Sequence, residues 1–99
     1  SYRYLGQHER AISDFDESAR LDPQDAEAYN IRGLLYRYRG QHERAIGDYD
    51  EAIRLNPQHA NAYYNRGITY SLIGKSIKAE RDFAKAKELG IEAPSPYRP

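Results

Sequence analysis

The sequence predicts an all-α superhelix, a solenoid of antiparallel helix pairs. Three observations predict it. The 34 residues from Ala26 to His59 read as two helical stretches, a glycine-containing turn between them and a proline stop after the second. Moved forward by 34, this window places Tyr29 on Tyr63, Gly33 on Gly67, Tyr36 on Tyr70, Gly40 on Gly74, Ala45 on Ala79, Tyr49 on Phe83, Ala52 on Ala86 and Leu55 on Leu89. Moved back, it places Tyr36, Gly40, Ala45, Tyr49, Leu55 and Pro57 on Tyr2, Gly6, Ala11, Phe15, Leu21 and Pro23, and the hexamer Gln-His-Glu-Arg-Ala-Ile stands verbatim at 7–12 and 41–46. A fixed period of this length marks stacked helical repeats, each too small to bury its apolar face alone.

Composition agrees with helices packed closely around small residues. Of 39 apolar residues, 22 are Tyr or Ala, and there is no Val, Trp, Met or Cys. Ala and Gly let helix axes approach while Tyr fills the gaps, and the absence of Val spares the helices a side chain that loses rotamer freedom there.

Taken in order, residues 1–25 read as an incomplete first repeat. Ser1 to Gly6 is expected to be the end of a truncated first helix, since the nine residues matching Ala26 to Leu34 have no counterpart before Ser1, and the chain reads as a fragment of a longer protein. His8 to Leu21 is its second helix, with Ala11, Ile12, Phe15, Ala19 and Leu21 on one stripe. Pro23 stops it and Asp25 is placed to cap the next.

Residues 26–59 form a complete repeat: a helix from Ala26 to Tyr38, a stop at Gly40, and a partner from His42 to Leu55 ended by Asn56-Pro57. Residues 60–91 repeat the pair, Ala60 to Ile73 and Ser76 to Leu89, divided by Gly74. Turns this short force antiparallel neighbours. Gly33 and Gly67 sit mid-helix, at about 1 kcal/mol relative to Ala, and close contact with the second helix at Ala45 and Ala79 is the expected compensation. Residues 92–99 hold three prolines and read as an extended tail.

The spacing Tyr29-x2-Arg32-Gly33-x2-Tyr36, then Gly40, Ala45-x3-Tyr49, Ala52 and Pro57, resembles the tetratricopeptide repeat, TPR, and the copy from Tyr63 resembles it equally. The resemblance covers roughly residues 1–91. It departs at Arg32 and Arg66, where the family pattern often has Leu, at Tyr29 and Tyr63, where it has Trp, and at Ile91, where it has Pro. Glu80 and Lys87 replace Ile46 and Ile53 in the last copy, as a terminal cap requires, so the array is expected to stop there.

The resemblance implies a non-catalytic protein–protein interaction module. In this family the first helices of successive repeats line a concave groove that receives an extended peptide or a helix of a partner protein. By matching positions the groove residues are Arg3 and Tyr4; Asn30, Leu34, Arg37 and Tyr38; and Asn61, Tyr64, Asn65, Ile68, Ser71 and Leu72. Such a mix of Tyr, Asn, Arg and aliphatics suits an adaptable peptide-binding face. Packing against neighbouring turns is the alternative for Tyr38 and Leu72. A subgroup clamps the C-terminal carboxylate of heat-shock chaperones with lysines and asparagines. Only Asn65 matches that set; Asn30, Leu34 and Asn61 stand where it has Lys, Asn and Lys. A homodimer through residues 1–21 is the competing expectation, because truncation leaves Ile12, Phe15 and Ala19 short of partners.

Catalysis finds no support. His8 and His42 are equivalents one repeat apart and read as packing residues; His59 falls in a turn and reads as exposed. The acidic runs around Phe15 and Tyr49 lack the glycine and ligand spacing of a calcium loop, and their expected role is a solvated face with Asp16–Arg20 and Asp50–Arg54 pairs at i, i+4. No phosphate loop, nucleophile elbow or metal motif occurs, so neither cofactor nor metal is expected. Fifteen basic and fifteen acidic residues cancel, which argues against a nucleic-acid partner, and the longest apolar runs are far short of a membrane span.

Overall fold

The computed structural model describes residues 2–91, with side chains described from Gln7 onward. Five helices follow one another: α1 Tyr2–Leu21, α2 Ala26–Tyr38, α3 His42–Leu55, α4 Ala60–Leu72 and α5 Ser76–Glu88. No strand occurs among the described residues. α2 pairs with α3 and α4 with α5, while α1 packs on α2, α3 on α4, and α2 touches α4 across the repeat boundary. The expected Pro-rich tail at 92–99 lies outside the described residues.

The helix stops follow from two devices. Gly40 and Gly74 take φ of 77° and 81°, a conformation that costs a side-chain-bearing residue 1–2 kcal/mol or so. This lets Gln41 N donate to Tyr36 O (2.9 Å) and Gly40 N to Arg37 O (2.9 Å), with Lys75 to Tyr70 and Gly74 to Ser71 repeating the pattern. The two crossed bonds satisfy carbonyls that the helix end would otherwise orphan. At the other edge Asp22 Oδ1 accepts from Gln24 N and Asn56 Oδ1 from Gln58 N, turning the chain at each proline.

One boundary differs from expectation. α1 runs unbroken through Gly6, so residues 1–25 hold one long helix and no truncated helix followed by a second. The stops at Gly40 and Gly74 each close a thirteen-residue helix already docked on its partner. At Gly6 the helix continues instead, since glycine tolerates the left-handed conformation of a helix stop without requiring it.

The core is built from small side chains. Ile12, Ala28, Ala45, Ala52, Ala62, Ala79 and Ala86 are buried, and Tyr49 is fully enclosed. A Cβ on Gly33 would lie 2.7 and 2.9 Å from two ring carbons of Tyr49 and 3.1 Å from Ala45 O; on Gly67 it would meet the Phe83 ring at 2.8 and 2.9 Å. Gly33 and Gly67 therefore each let an aromatic ring close on bare backbone. The ring, rather than the small side chain of Ala45 or Ala79, is the close neighbour.

The repeats are joined by an ion-pair clasp. Arg32 donates from Nε and Nη2 to both carboxylate oxygens of Asp48 (2.8 and 2.6 Å) and from Nη1 to Asp16 (2.7 Å). Arg66 does the same with Asp82 (2.9 and 2.8 Å) and Asp50 (2.8 Å). Each arginine thus ties the second helix of its own repeat to that of the preceding one, with its guanidinium 5.4–5.9 Å from two tyrosine rings, Tyr29 and Tyr36 or Tyr63 and Tyr70. The expected Asp16–Arg20 and Asp50–Arg54 pairs do not form. Arg20 and Arg54 pair with Glu17 and Glu51 instead, while Asp16 and Asp50 accept from Nη1 of Arg32 and Arg66. Ala84 stands where Asp16 and Asp50 stand, and with Glu80 and Lys87 it lies on the solvent side of α5.

Ile12 is buried within its own chain and Phe15 and Ala19 are half-buried. α1 packs on α2, and the apolar stripe on which a homodimer was expected is in large part already covered.

Candidate protein-interaction face

α2 and α4 lie next to each other and carry ten of the twelve residues expected to line a groove. The other two, Arg3 and Tyr4, belong to the side chains outside the described set.

At the N-terminal ends of these helices the groups are tied to one another. Asn30 is only 5% exposed. Its Oδ1 accepts from Asn65 Nδ2 (3.0 Å) and its Nδ2 donates to Glu27 Oε1 (3.1 Å). Glu27 Oε2 meets His59 Nε2 at 3.2 Å, and His59 Nδ1 accepts from Ala62 N (3.2 Å). The lone pair on Nδ1 is therefore used and the proton sits on Nε2, donated to Glu27. Asn30 belongs to the floor of the face and not to its contact surface, because its amide bridges α2 and α4. His59, expected to be exposed, is 9% exposed and caps α4. Its counterpart one period earlier, Asp25, caps α2 through Ala28 N, and that equivalence was the signal in the sequence for His59.

Beside this network the turns enclose an open cleft of about 690 Å³, reaching Asp22, Asp25, Glu27, His59 and Asn61. Its acids are committed: Asp22 and Asp25 accept from backbone N–H groups, Glu27 from Asn30 and His59. Among the described residues no group of three or more His, Asp or Glu is placed to hold a metal ion, and no helix is long and apolar enough to cross a membrane.

Toward the C-terminal ends the face opens. Tyr38 and Leu72 are each 60% exposed, and Ser71 is exposed too, while Asn61 is exposed at the N-terminal end of α4. Leu34, Tyr64, Asn65 and Ile68 are half-buried, Tyr64 leaning on Phe83 with ring centroids 5.8 Å apart. Tyr38 stacks on His8 at 6.0 Å, so the two alternatives for it coexist: it packs on α1 with one side and meets solvent with the other. Arg37 lies 5.3 Å from the Tyr38 ring.

Beneath the face, Tyr49 reaches across Gly33 with its hydroxyl shut in and unpartnered. Burial pushes its phenol up to about 12, with the positive charge of Arg37 pulling the other way. A phenol whose pKa rises on folding favours the fold while neutral. That stabilisation is complete below pH ~10 and is lost as pH rises through ~12, about 2–3 kcal/mol in all. Tyr49→Phe should therefore be neutral or slightly stabilising at pH 8, since it removes a buried group with no partner. It should resist alkaline denaturation better than the native chain, which urea midpoints at pH 8 and 11.5 will check; equal losses in both proteins would contradict this.

The TPR repeat family model matches residues 1–37 and again 33–74, and a second tetratricopeptide-repeat model matches 60–89. The chain belongs to the tetratricopeptide-repeat family. Among solved structures it is similar to MamA, at 30% identity and a TM-score of 0.81 over 86% of this chain and 50% of that one. It spans about half the length of the MamA structures. It is also similar to the second TPR of Spaghetti (RPAP3) bound to the HSP90 peptide SRMEEVD, at 28% identity and a TM-score of 0.82 over 86% of this chain and 79% of that one. The first TPR of Spaghetti, with the same peptide, gives 25% and 0.84 over 90% and 71%. No curated protein sequence matches the chain.

Proposed function

We propose that this TPR chain binds a segment of another protein, an extended peptide or a helix, on the face formed by α2 and α4. The observation that carries the reading is the likeness to two Spaghetti TPR domains, at TM-scores of 0.82 and 0.84, whose structures hold a peptide. Support comes from the face itself. Tyr38 and Leu72 expose apolar surface at its open end, and half-buried Leu34 and Ile68 give it a firm floor, the arrangement in which apolar anchors supply binding energy and polar neighbours supply register. The bound segment is not assigned to a chaperone tail. Asn30, Leu34 and Asn61 replace clamp residues, and Asn65, the one match, already donates to Asn30.

The test uses peptides selected on the native chain from a random display library. Tyr38→Ala with Leu72→Asp, both at exposed positions, should weaken the selected peptides at least tenfold without changing the circular dichroism spectrum. Unchanged affinity in a folded double variant would overturn the reading.

A further inference from the structure

Four arginines are half-buried among the described residues: Arg32, Arg37, Arg39 and Arg66. Three are neutralised, Arg32 by Asp48 and Asp16, Arg66 by Asp82 and Asp50, and Arg39 by Glu9 at 3.1 Å. Arg37 has no such partner among the described residues. It leaves the last turn of α2 with Nη1 closed off from solvent and, among those residues, without a hydrogen-bond acceptor. The phenol of Tyr49 beneath it stays uncharged, since burial pushes it up to about 12, and supplies no counter-charge. Arg37 is also the one cation among the described residues expected to line the face. Withdrawing a guanidinium from water without giving it an anion is unfavourable, and removing that imbalance favours any ligand that brings one.

We propose that Arg37 is the anchor for an acidic side chain of the bound protein segment, with the exposed Tyr38 ring beside it receiving an apolar neighbour of that acid. This rests on the α2–α4 face being the binding face. The acid is taken at the open end because the Asn30–Asn65 bond closes the polar spot at the other end. Charge complementarity selects the occupant: a carboxylate supplies the counter-charge the guanidinium lacks, whereas a basic or neutral segment leaves it as it is.

Random dodecapeptides displayed against the native chain, Arg37→Gln and Arg37→Glu test the assignment. The native chain should enrich peptides with Asp or Glu at one fixed position. Arg37→Gln should lose that preference, and Arg37→Glu should exchange it for Lys or Arg. For a peptide selected on the native chain, changing that acid to its amide should weaken binding about tenfold, and the same change should have no effect on Arg37→Gln. Arg37→Gln keeps the stem of the side chain and guards against a charge reversal that fails to fold. Enriched peptides without an acidic position, retained by both variants but lost in Tyr38→Ala with Leu72→Asp, would overturn the role of Arg37 and leave the binding face standing. Peptides held equally by that double variant, or no enrichment at all, would overturn both.

Discussion

Gly33→Leu should cost about 3 kcal/mol or more and lower the thermal midpoint by roughly 10–20 °C. The Cβ alone would fall 2.7 Å from the Tyr49 ring, and that ring is fully enclosed, so it cannot swing aside. Moving it would lift α3 from α2, and with it the alanines that close the core. The better helix propensity of leucine returns only about 0.8 kcal/mol. Gly47 supplies the contrast. It is also mid-helix, but nothing lies within 4 Å of where its Cβ would be, so Gly47→Ala should stabilise by about 0.5–1 kcal/mol. Urea unfolding of both variants separates the two kinds of glycine. A Gly33→Leu protein with the native midpoint would show that the aromatic ring does not need bare backbone beneath it.

The second large effect belongs to the clasp. Arg32→Leu should cost roughly 2–4 kcal/mol, because it strands Asp48, 7% exposed, as a charge without a partner. The figure sits below that for a fully buried pair because the Arg32 side chain keeps 20% of its exposure. Asp16→Ala should cost under about 1 kcal/mol, since Asp16 is 53% exposed and Arg32 would keep both bonds to Asp48. Adding Asp48→Leu to Arg32→Leu should recover most of the loss, the apolar pair replacing the ionic one. A loss at Arg32→Leu no larger than at Asp16→Ala, in chemical denaturation, would mean that the clasp contributes no more than a surface ion pair.

Much of this architecture was legible in the amino-acid order. The period located all four helices from α2 onward, and Gly40 and Gly74 announced their turns because a crossed pair of hydrogen bonds needs a residue that tolerates positive φ. Such signals are local. The clasp was not legible, although its parts recur: Arg32 and Arg66, Asp48 and Asp82, Asp16 and Asp50. Its partners are sixteen residues apart and meet only once helices of two repeats have stacked, whereas an i, i+4 pair lies along a single helix. Asn30 was misplaced for a similar reason, since its position matched a groove residue but the amide of Asn65 claims it across the repeat boundary. His59 was misread by residue type: a histidine in a turn suggests exposure, whereas the position one period before holds the capping Asp25. Gly6 shows the limit of the period itself, because glycine permits a helix stop and does not impose one, and α1 runs through it.

The clasp also says which part of this chain is modular. The unit from 26 to 59 offers Asp50 forward, reaches back with Arg32 and holds that arginine with Asp48, so tandem copies of it would interlock at every joint without further design. The last unit has lost the forward hook at Ala84, and a rod assembled from copies of it would have joints held by contact area alone.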